Sequence, residues 1–168
     1  MPSADLPRQK IETLSALHEL ADFDCGVRRI NDYLRLDGII LQKNDLARLY
    51  VAVASGSRRV LGYYALHNHY IDGQYVSGPL GLTLRRDAVV GCAYLAMLGV
   101  DRRCQGQRIG SRLLADALRR CRRLAQEIGL WAVVLDAVDD QAIEFYGRFG
   151  FMSLKGRHRL YLPISRID

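Results

Sequence analysis

The chain has 168 residues, 49% of them hydrophobic and 25% charged, which is apolar material enough for a packed core and too much for a disordered segment. The length fits one domain, 1–168, better than two. A balance of 24 basic against 18 acidic residues leaves a formal charge of +6, and because only Lys10, Lys43 and Lys155 are lysines, arginine carries nearly all of it. This excludes an acidic solvating protein and favours an anionic partner, such as a phosphorylated cofactor or a nucleic acid.

No stretch approaches the roughly 18 uninterrupted apolar residues of a membrane span, and the stretch from Met1 to Lys10 has prolines and charges but no signal-peptide core. A cytoplasmic location, away from the membrane, is expected. Cys25, Cys92, Cys104 and Cys121 form no CxxC and no Cys/His cluster, so neither a zinc site nor a disulfide scaffold is indicated. His67 and His69 share one strand face, but no third ligand stands nearby, and no metal is expected.

Along the chain, Ile11, Leu14, Leu17 and Leu20 suggest a helical turn or two within 11–24. Val27, Ile30, Tyr33 and Leu34 start a second helical pattern that reaches Leu41, weakened or ended by Gly38. Strands are expected at 49–53 and 60–66, joined as a hairpin through 55–59. The stretch 71–90, interrupted by Gly73, Gly78, Pro79 and Gly81, reads as loop or irregular strand. Residues 92–100 form an apolar run of the kind covered on both faces of a sheet. A long helix follows over 107–128, with Leu113, Leu114, Ala117, Leu118, Cys121 and Leu124 at helical spacing and Gly129 as its stop. Leu130 to Leu135 is a buried strand, Asp139 or Asp140 caps a helix that Gly150 closes, and 157–164 is a last strand. The alternation predicts an α/β fold, a mixed central sheet flanked by helices.

One segment concentrates the chemistry: Leu98-Gly-Val-Asp-Arg-Arg-Cys-Gln-Gly-Gln-Arg-Ile-Gly-Ser111, a loop between a buried strand and a long helix. The first amides of a helix lack internal acceptors, and their dipoles favour an anion there. Gly106 lets the backbone approach a phosphate, Gly110 lets the helix pack close to the sheet, and Arg103 adds a cation. It is neither a Walker A loop nor a GxGxxG fingerprint. Taken alone, it reads equally as an ordinary strand-to-helix turn.

The same loop resembles the pyrophosphate loop Q/R-x-x-G-x-G/A of the GCN5-related N-acetyltransferases (GNAT), with Arg103 and Gly106 in place and Arg108 where the second small residue belongs. If the backbone follows the family, the Arg108 amide still serves and its side chain points away. The segment Asp139-Asp-Gln-Ala-Ile-Glu-Phe-Tyr-Gly-Arg-Phe-Gly-Phe151 resembles the family's N-x-x-A-x-x-F-Y-x-x-x-G-F, with aspartate replacing the asparagine. Phe23-Asp-Cys-Gly26, Ile30-Asn-Asp-Tyr-Leu34, Val60-Leu-Gly-Tyr-Tyr-Ala-Leu66 and Leu95-Ala-Met-Leu-Gly-Val-Asp101 are similar to one branch, the toxin acetyltransferases of bacterial toxin–antitoxin pairs.

The resemblance implies acetyl-CoA as cofactor. Pantetheine would lie along the strand near Leu98 and Val100, and the phosphates on Arg103, Cys104, Gln105, Gly106, Gln107, Arg108, Ile109, Gly110 and Ser111. Tyr146 would be the general acid toward the CoA sulfur, although by its own pattern it reads as a core aromatic beside Phe145 and Phe149. No general base is named; Asp24, Asp101 and Asp136 are available. The branch acetylates the α-amine of aminoacyl-tRNA and blocks translation, and it implies a ribbon-helix-helix antitoxin and a homodimer. Arg112, Arg119, Arg120, Arg122 and Arg123 on the long helix, with Arg85 and Arg86, are the candidate RNA contacts, or else a solvated basic face. The rival readings are an acetyltransferase for a small amine or a protein N-terminus, and a CoA-binding domain without turnover.

Overall fold

The computed structural model describes residues 8–168. Its strands and helices follow in the order β1 (Gln9–Thr13), α1 (Arg28–Asp32), α2 (Gly38–Lys43), β2 (Arg48–Ala54), β3 (Val60–Asp72), α3 (Gly78–Thr83), β4 (Val89–Val100), α4 (Ile109–Leu124), β5 (Ala132–Asp136), α5 (Asp140–Gly147), β6 (Met152–Lys155) and β7 (Arg159–Pro163). The fold is α/β with a mixed sheet, as the alternation predicts. The chain gathers into two compact units: one takes the described residues up to Leu66 together with Met97–Ala117, the other His67–Ala96 together with Leu118–Asp168.

In the first unit the strand order is β1-β2-β3-β4. β1 pairs antiparallel with β2 from Gln9↔Ala54 to Thr13↔Tyr50. This pairing overrides the helical spacing expected within 11–24: Leu14 is buried, Leu17 stands exposed, and turns follow the strand. Gly38 does not end its helix. The backbone runs from α1 through a π-helical stretch, Tyr33–Asp37, into α2. A Cβ on Gly38 would lie 2.9 Å from Leu49 Cδ2 and 3.2 Å from Leu14 Cδ2, so the glycine is there for close packing. The hairpin of β2 and β3 is present, antiparallel, with a register shift at Ala52/Val53. Phe23 meets Tyr63 edge-on at 5.6 Å, and the Tyr63 hydroxyl donates to the Ile30 carbonyl at 2.6 Å. Ile109, Leu113 and Leu114 anchor the start of α4 in this core.

In the second unit the order is β3-β4-β5-β7-β6. β4 runs parallel to β5 from Cys92↔Ala132 to Tyr94↔Val134, and β5 is antiparallel to β7 from Ala132↔Pro163 to Asp136↔Arg159. Ile71, Val76, Cys92, Ala132, Val134 and Tyr161 form its core, with Trp131 stacked on Tyr161 at 5.3 Å. Three expectations change, and one strand appears for which the sequence carries no expectation. The region 71–90 holds the short helix α3, and β3 extends to Asp72. β4 is not covered evenly on both faces: from Tyr94 onward half-buried and buried residues alternate. α4 starts at Ile109 and ends at Leu124, and Ile128 is exposed. β6, pairing β7 at Met152↔Tyr161, has too short an apolar pattern to be seen in the sequence. Among the described residues no helix is long and apolar enough to cross a membrane.

Candidate active site

The first unit carries the turn between β4 and α4. Its anchor is Asp101, 1% exposed. The carboxylate accepts from the Arg103 amide at 3.0 Å, from Arg103 Nε and Nη2 at 2.9 Å each, and from the Asp24 amide at 3.3 Å. Hydrogen bonds from the Arg103 side chain, helped by the two amides, hold this carboxyl well below the usual carboxylate range. Arg103 also donates to the Asp22 carbonyl at 3.0 Å. Its guanidinium is therefore occupied in shaping the turn, where the sequence suggests a phosphate contact. Gln105 Nε2 ties the same turn to the Val100 carbonyl (2.9 Å) and the Cys25 carbonyl (3.1 Å).

Beyond these tethers the backbone opens. Gly106 has φ +78° with empty space where a Cβ would stand, and Arg108, exposed, has φ +62°. Positive-φ backbone at Gly106 and Arg108 flanks Gln107, the kind of turn in which successive amides can converge on an anion. The helical ladder begins with the Arg112 amide on the Arg108 carbonyl (3.1 Å), so the amides of Ile109, Gly110 and Ser111 lack an acceptor within the helix. Ile109 is buried and fixes the helix end, while Gly110 and Ser111 are half-exposed. Cys104 is buried and packs the turn from below. On β4, Leu98 and Val100 are the half-exposed residues alternating with buried Met97 and Gly99. An open glycine followed by helix-start amides without an acceptor in the helix is a donor set that fits a diphosphate.

The Phe23–Gly26 segment is fixed to this turn. Asn31, 6% exposed, accepts from the Cys25 amide and donates to Asp24 Oδ1, both at 2.8 Å. Asp24 Oδ1 also accepts from the Gly26 amide at 2.9 Å, and the Arg102 amide donates to the Asp24 carbonyl at 2.8 Å. The Gly26 amide, then Asn31, lower the Asp24 carboxyl below its ordinary value. Asp24 and Asp101 are thus engaged structural carboxylates.

In the second unit Tyr146 lies on α5, 8% exposed, edge-on to Phe145 at 5.1 Å and to Phe151 at 5.6 Å. Burial pushes its phenol well above the ordinary tyrosine value, so the hydroxyl keeps its proton. Asp139 caps the helix, accepting from the Ala142 amide at 2.8 Å, as its place in the segment predicts. A polar cluster that sequence spacing does not reveal sits where the β4–β5 pairing stops. Tyr94 donates to Asp136 Oδ2 at 2.7 Å, Arg159 grips both Asp136 oxygens at 2.9 and 2.8 Å, and His69 packs on the Tyr94 ring at 5.2 Å. Arg159 chiefly lowers the Asp136 carboxyl. The alternation of His67, His69 and Ile71 on β3 was the available signal, but its partners lie on three other strands.

The candidate RNA-binding arginines differ in their settings. Arg85 is ion-paired with Asp87 at 3.1 Å and Arg86 donates to Gln74 at 3.3 Å. On α4, Arg119, Arg122 and Arg123 are exposed and Arg120 is half-buried. In the first unit Arg112 donates to Gln9 at 3.2 Å. Among the described residues no group of three or more His, Cys, Asp or Glu side chains is placed to hold a metal ion.

The model of the acetyltransferase (GNAT) family matches residues 14–151. The chain is similar to the tRNA-acetylating toxin of Mycobacterium tuberculosis, 33% identical over 138 residues, 82% of this chain and 81% of that protein. Among solved structures it is similar to AtaT complexed with acetyl-methionyl-tRNAfMet, with TM-score 0.87, 26% identity, and coverage of 95% of this chain and 97% of that one. It is also similar to a Tyr-to-Phe variant of AtaT bound to the C-terminus of the antitoxin AtaR and acetyl-CoA, with TM-score 0.81, 27% identity and 95% of each chain covered.

Proposed function

This chain belongs to the acetyltransferase (GNAT) family, in its toxin branch, and from that premise we propose that it moves an acetyl group from acetyl-CoA to the α-amine of aminoacyl-tRNA and so blocks translation. The observation that carries the reading is the turn of positive-φ backbone at Gly106 and Arg108 against the start of α4, after a strand whose pairing with β5 ends at Tyr94. The likeness to a tRNA-acetylating toxin and to structures with acetyl-CoA and with acetylated aminoacyl-tRNA supports the substrate pair.

Acetyl-CoA supplies an activated thioester. The amides of Gly106 through Ser111 bind its diphosphate, and Asp101 with Arg103 holds those amides in place. Backbone groups of Leu98 and Val100, on the half-exposed alternation of β4, receive the pantetheine amides and orient the carbonyl. Tyr146 donates to the departing sulfur; because its hydroxyl stays protonated at every working pH, the donor form never has to be selected. Arg119, Arg122 and Arg123 attract the RNA backbone. The likeness to AtaT bound to the C-terminus of its antitoxin supports an antitoxin as protein partner, and a homodimer is carried over from the resemblance to the branch alone.

The test is incubation with labelled acetyl-CoA and charged tRNA, followed by mass analysis of the released aminoacyl group. Acetylated α-amine is expected, with Tyr146→Phe lowering kcat by about 10²- to 10⁴-fold at unchanged acetyl-CoA Kd. Labelling of a polyamine or a peptide N-terminus instead overturns the substrate. A Tyr146→Phe enzyme as fast as wild type overturns the acid.

A further inference from the structure

The second unit holds a buried polar atom without a task. Among the described residues His69 Nε2 meets no hydrogen-bond partner, a state that a ligand would relieve. The ring borders a cleft of about 210 Å³ whose walls include Tyr70, Asp72, Tyr75, Leu154 and Arg159, all of the same unit. Tyr70 is 65% exposed, with its ring 6.3 Å from the imidazole and within 24° of its plane. Such a ring, open to solvent beside a cleft, is a ready stacking platform.

The charges disfavour an ion of either sign. Burial first, then the charge of Arg159, holds His69 below the ordinary histidine value, with Asp136 partly opposing. A cation placed at the imidazole would meet that same arginine. An anion fares no better, because Asp136 grips Arg159 at 2.9 and 2.8 Å and the exposed Asp72 adds a second carboxylate. What fits is a neutral ligand with a flat face for the tyrosine and an edge that both gives and takes hydrogen bonds. Arg159 is a donor whose Nη1 takes no part in the pair with Asp136, Asp72 is an acceptor, and Nε2 of a neutral imidazole serves as either.

An unpaired nucleobase combines these properties: RNA-binding surfaces stack splayed-out bases on aromatic rings and read their edges with polar side chains. The volume, below the roughly 300–1,000 Å³ of drug-sized pockets, suits one base and little more. We propose that this cleft receives one unpaired base of an RNA, stacked on Tyr70, with its acceptors toward Arg159 and His69 and an exocyclic amino group toward Asp72. Adenine, guanine or cytosine is thus preferred to uracil, which has no amino group. The choice of RNA as the source of the base rests on the aminoacyl-tRNA reading above; the stacking and edge chemistry do not. The site adds base contact to a binding surface that the α4 arginines supply with charge alone.

The test is binding, with no acetyl transfer involved. Uncharged tRNA is titrated into the full chain without acetyl-CoA, across a range of salt. Tyr70→Ala should raise the tRNA Kd by about five- to a hundredfold, the worth of one stacked base, while the slope of log K against log salt stays as in wild type, because no phosphate contact is lost. Tyr70→Phe, which keeps the ring, should restore the affinity. Separately, cytidine should shift the His69 imidazole resonances of the wild-type protein, and uridine should shift them less. An unchanged tRNA Kd in Tyr70→Ala, or His69 resonances that ignore cytidine, overturns the proposal. The adenine of acetyl-CoA is the other source of a base: a raised acetyl-CoA Kd in Tyr70→Ala, with tRNA affinity intact, assigns the cleft to the cofactor and overturns the RNA site. If tRNA and cytidine bind as expected while wild type acetylates no aminoacyl-tRNA, the transfer reading falls and the base site stands.

Discussion

Asp101 and Arg103, two residues apart, close a bidentate ion pair, Nε to Oδ1 and Nη2 to Oδ2 at 2.9 Å each, around a carboxylate that water does not reach. The pair fixes the backbone just ahead of Gly106. A cation that the motif offers to the phosphates is thus used one step earlier, on the frame that presents the amides.

Replacing Asp101 by Asn removes the charge and leaves the fork half-satisfied. Stability should fall by about 1–3 kcal/mol, with a raised KM for acetyl-CoA and a smaller change in kcat. The sign of the pH dependence follows from the depressed carboxyl. Its contribution is fully present above the unfolded value, near 3.9, and is lost as pH falls through the lower folded value. The wild-type urea midpoint should therefore drop below about pH 4, Asp24 and Asp136 acting in the same direction. Asp101→Asn should flatten that slope, and an equal slope in both proteins counts against the assignment.

Arg108 tests whether the loop needs a side chain or a backbone angle. A left-handed non-glycine residue costs about 1–2 kcal/mol, and glycine removes that strain while adding freedom to the unfolded chain. Arg108→Gly should stay within about 1 kcal/mol of wild-type stability and bind acetyl-CoA with a similar Kd. Arg108→Val, branched at Cβ, should lose both stability and affinity. Loss of affinity in the glycine variant alone would assign the contact to the guanidinium.

The basic surface gives a salt-dependence experiment. Substituting Arg119, Arg122 and Arg123 together by Gln should weaken tRNA binding and make the slope of log K against log salt shallower by up to about three, near 0.9 for each lost duplex phosphate contact. Arg85→Gln should change little, because Asp87 already neutralises that side chain. An unaltered slope in the triple variant removes α4 from the RNA interface.

What was legible in the sequence follows the range of the forces involved. The β2–β3 hairpin, the buried β5, the Asp139 cap and the glycine turn are set by neighbours along the chain, and all stand where periodicity and turn chemistry put them. β1 failed because its pairing partner lies some forty residues away. The π-helical passage into α2 was hidden because Gly38 reads as a breaker until Leu14 and Leu49 are seen against it. Of the candidate site, the loop positions were visible and the direction of Arg103 was not, since Asp101 is buried only in the folded chain. The His69 cluster was invisible for the same reason, being assembled from four strands.

Asp136 and Arg159 are also direct register partners at the end of the β5–β7 ladder. A slip of one residue would turn Arg159 to the opposite face and leave Asp136 beside Tyr94 without a cation. The native register is therefore the one in which this ion pair closes. A misaligned chain loses the native β5–β7 pairing and the Tyr94–Asp136–Arg159 cluster in the same error.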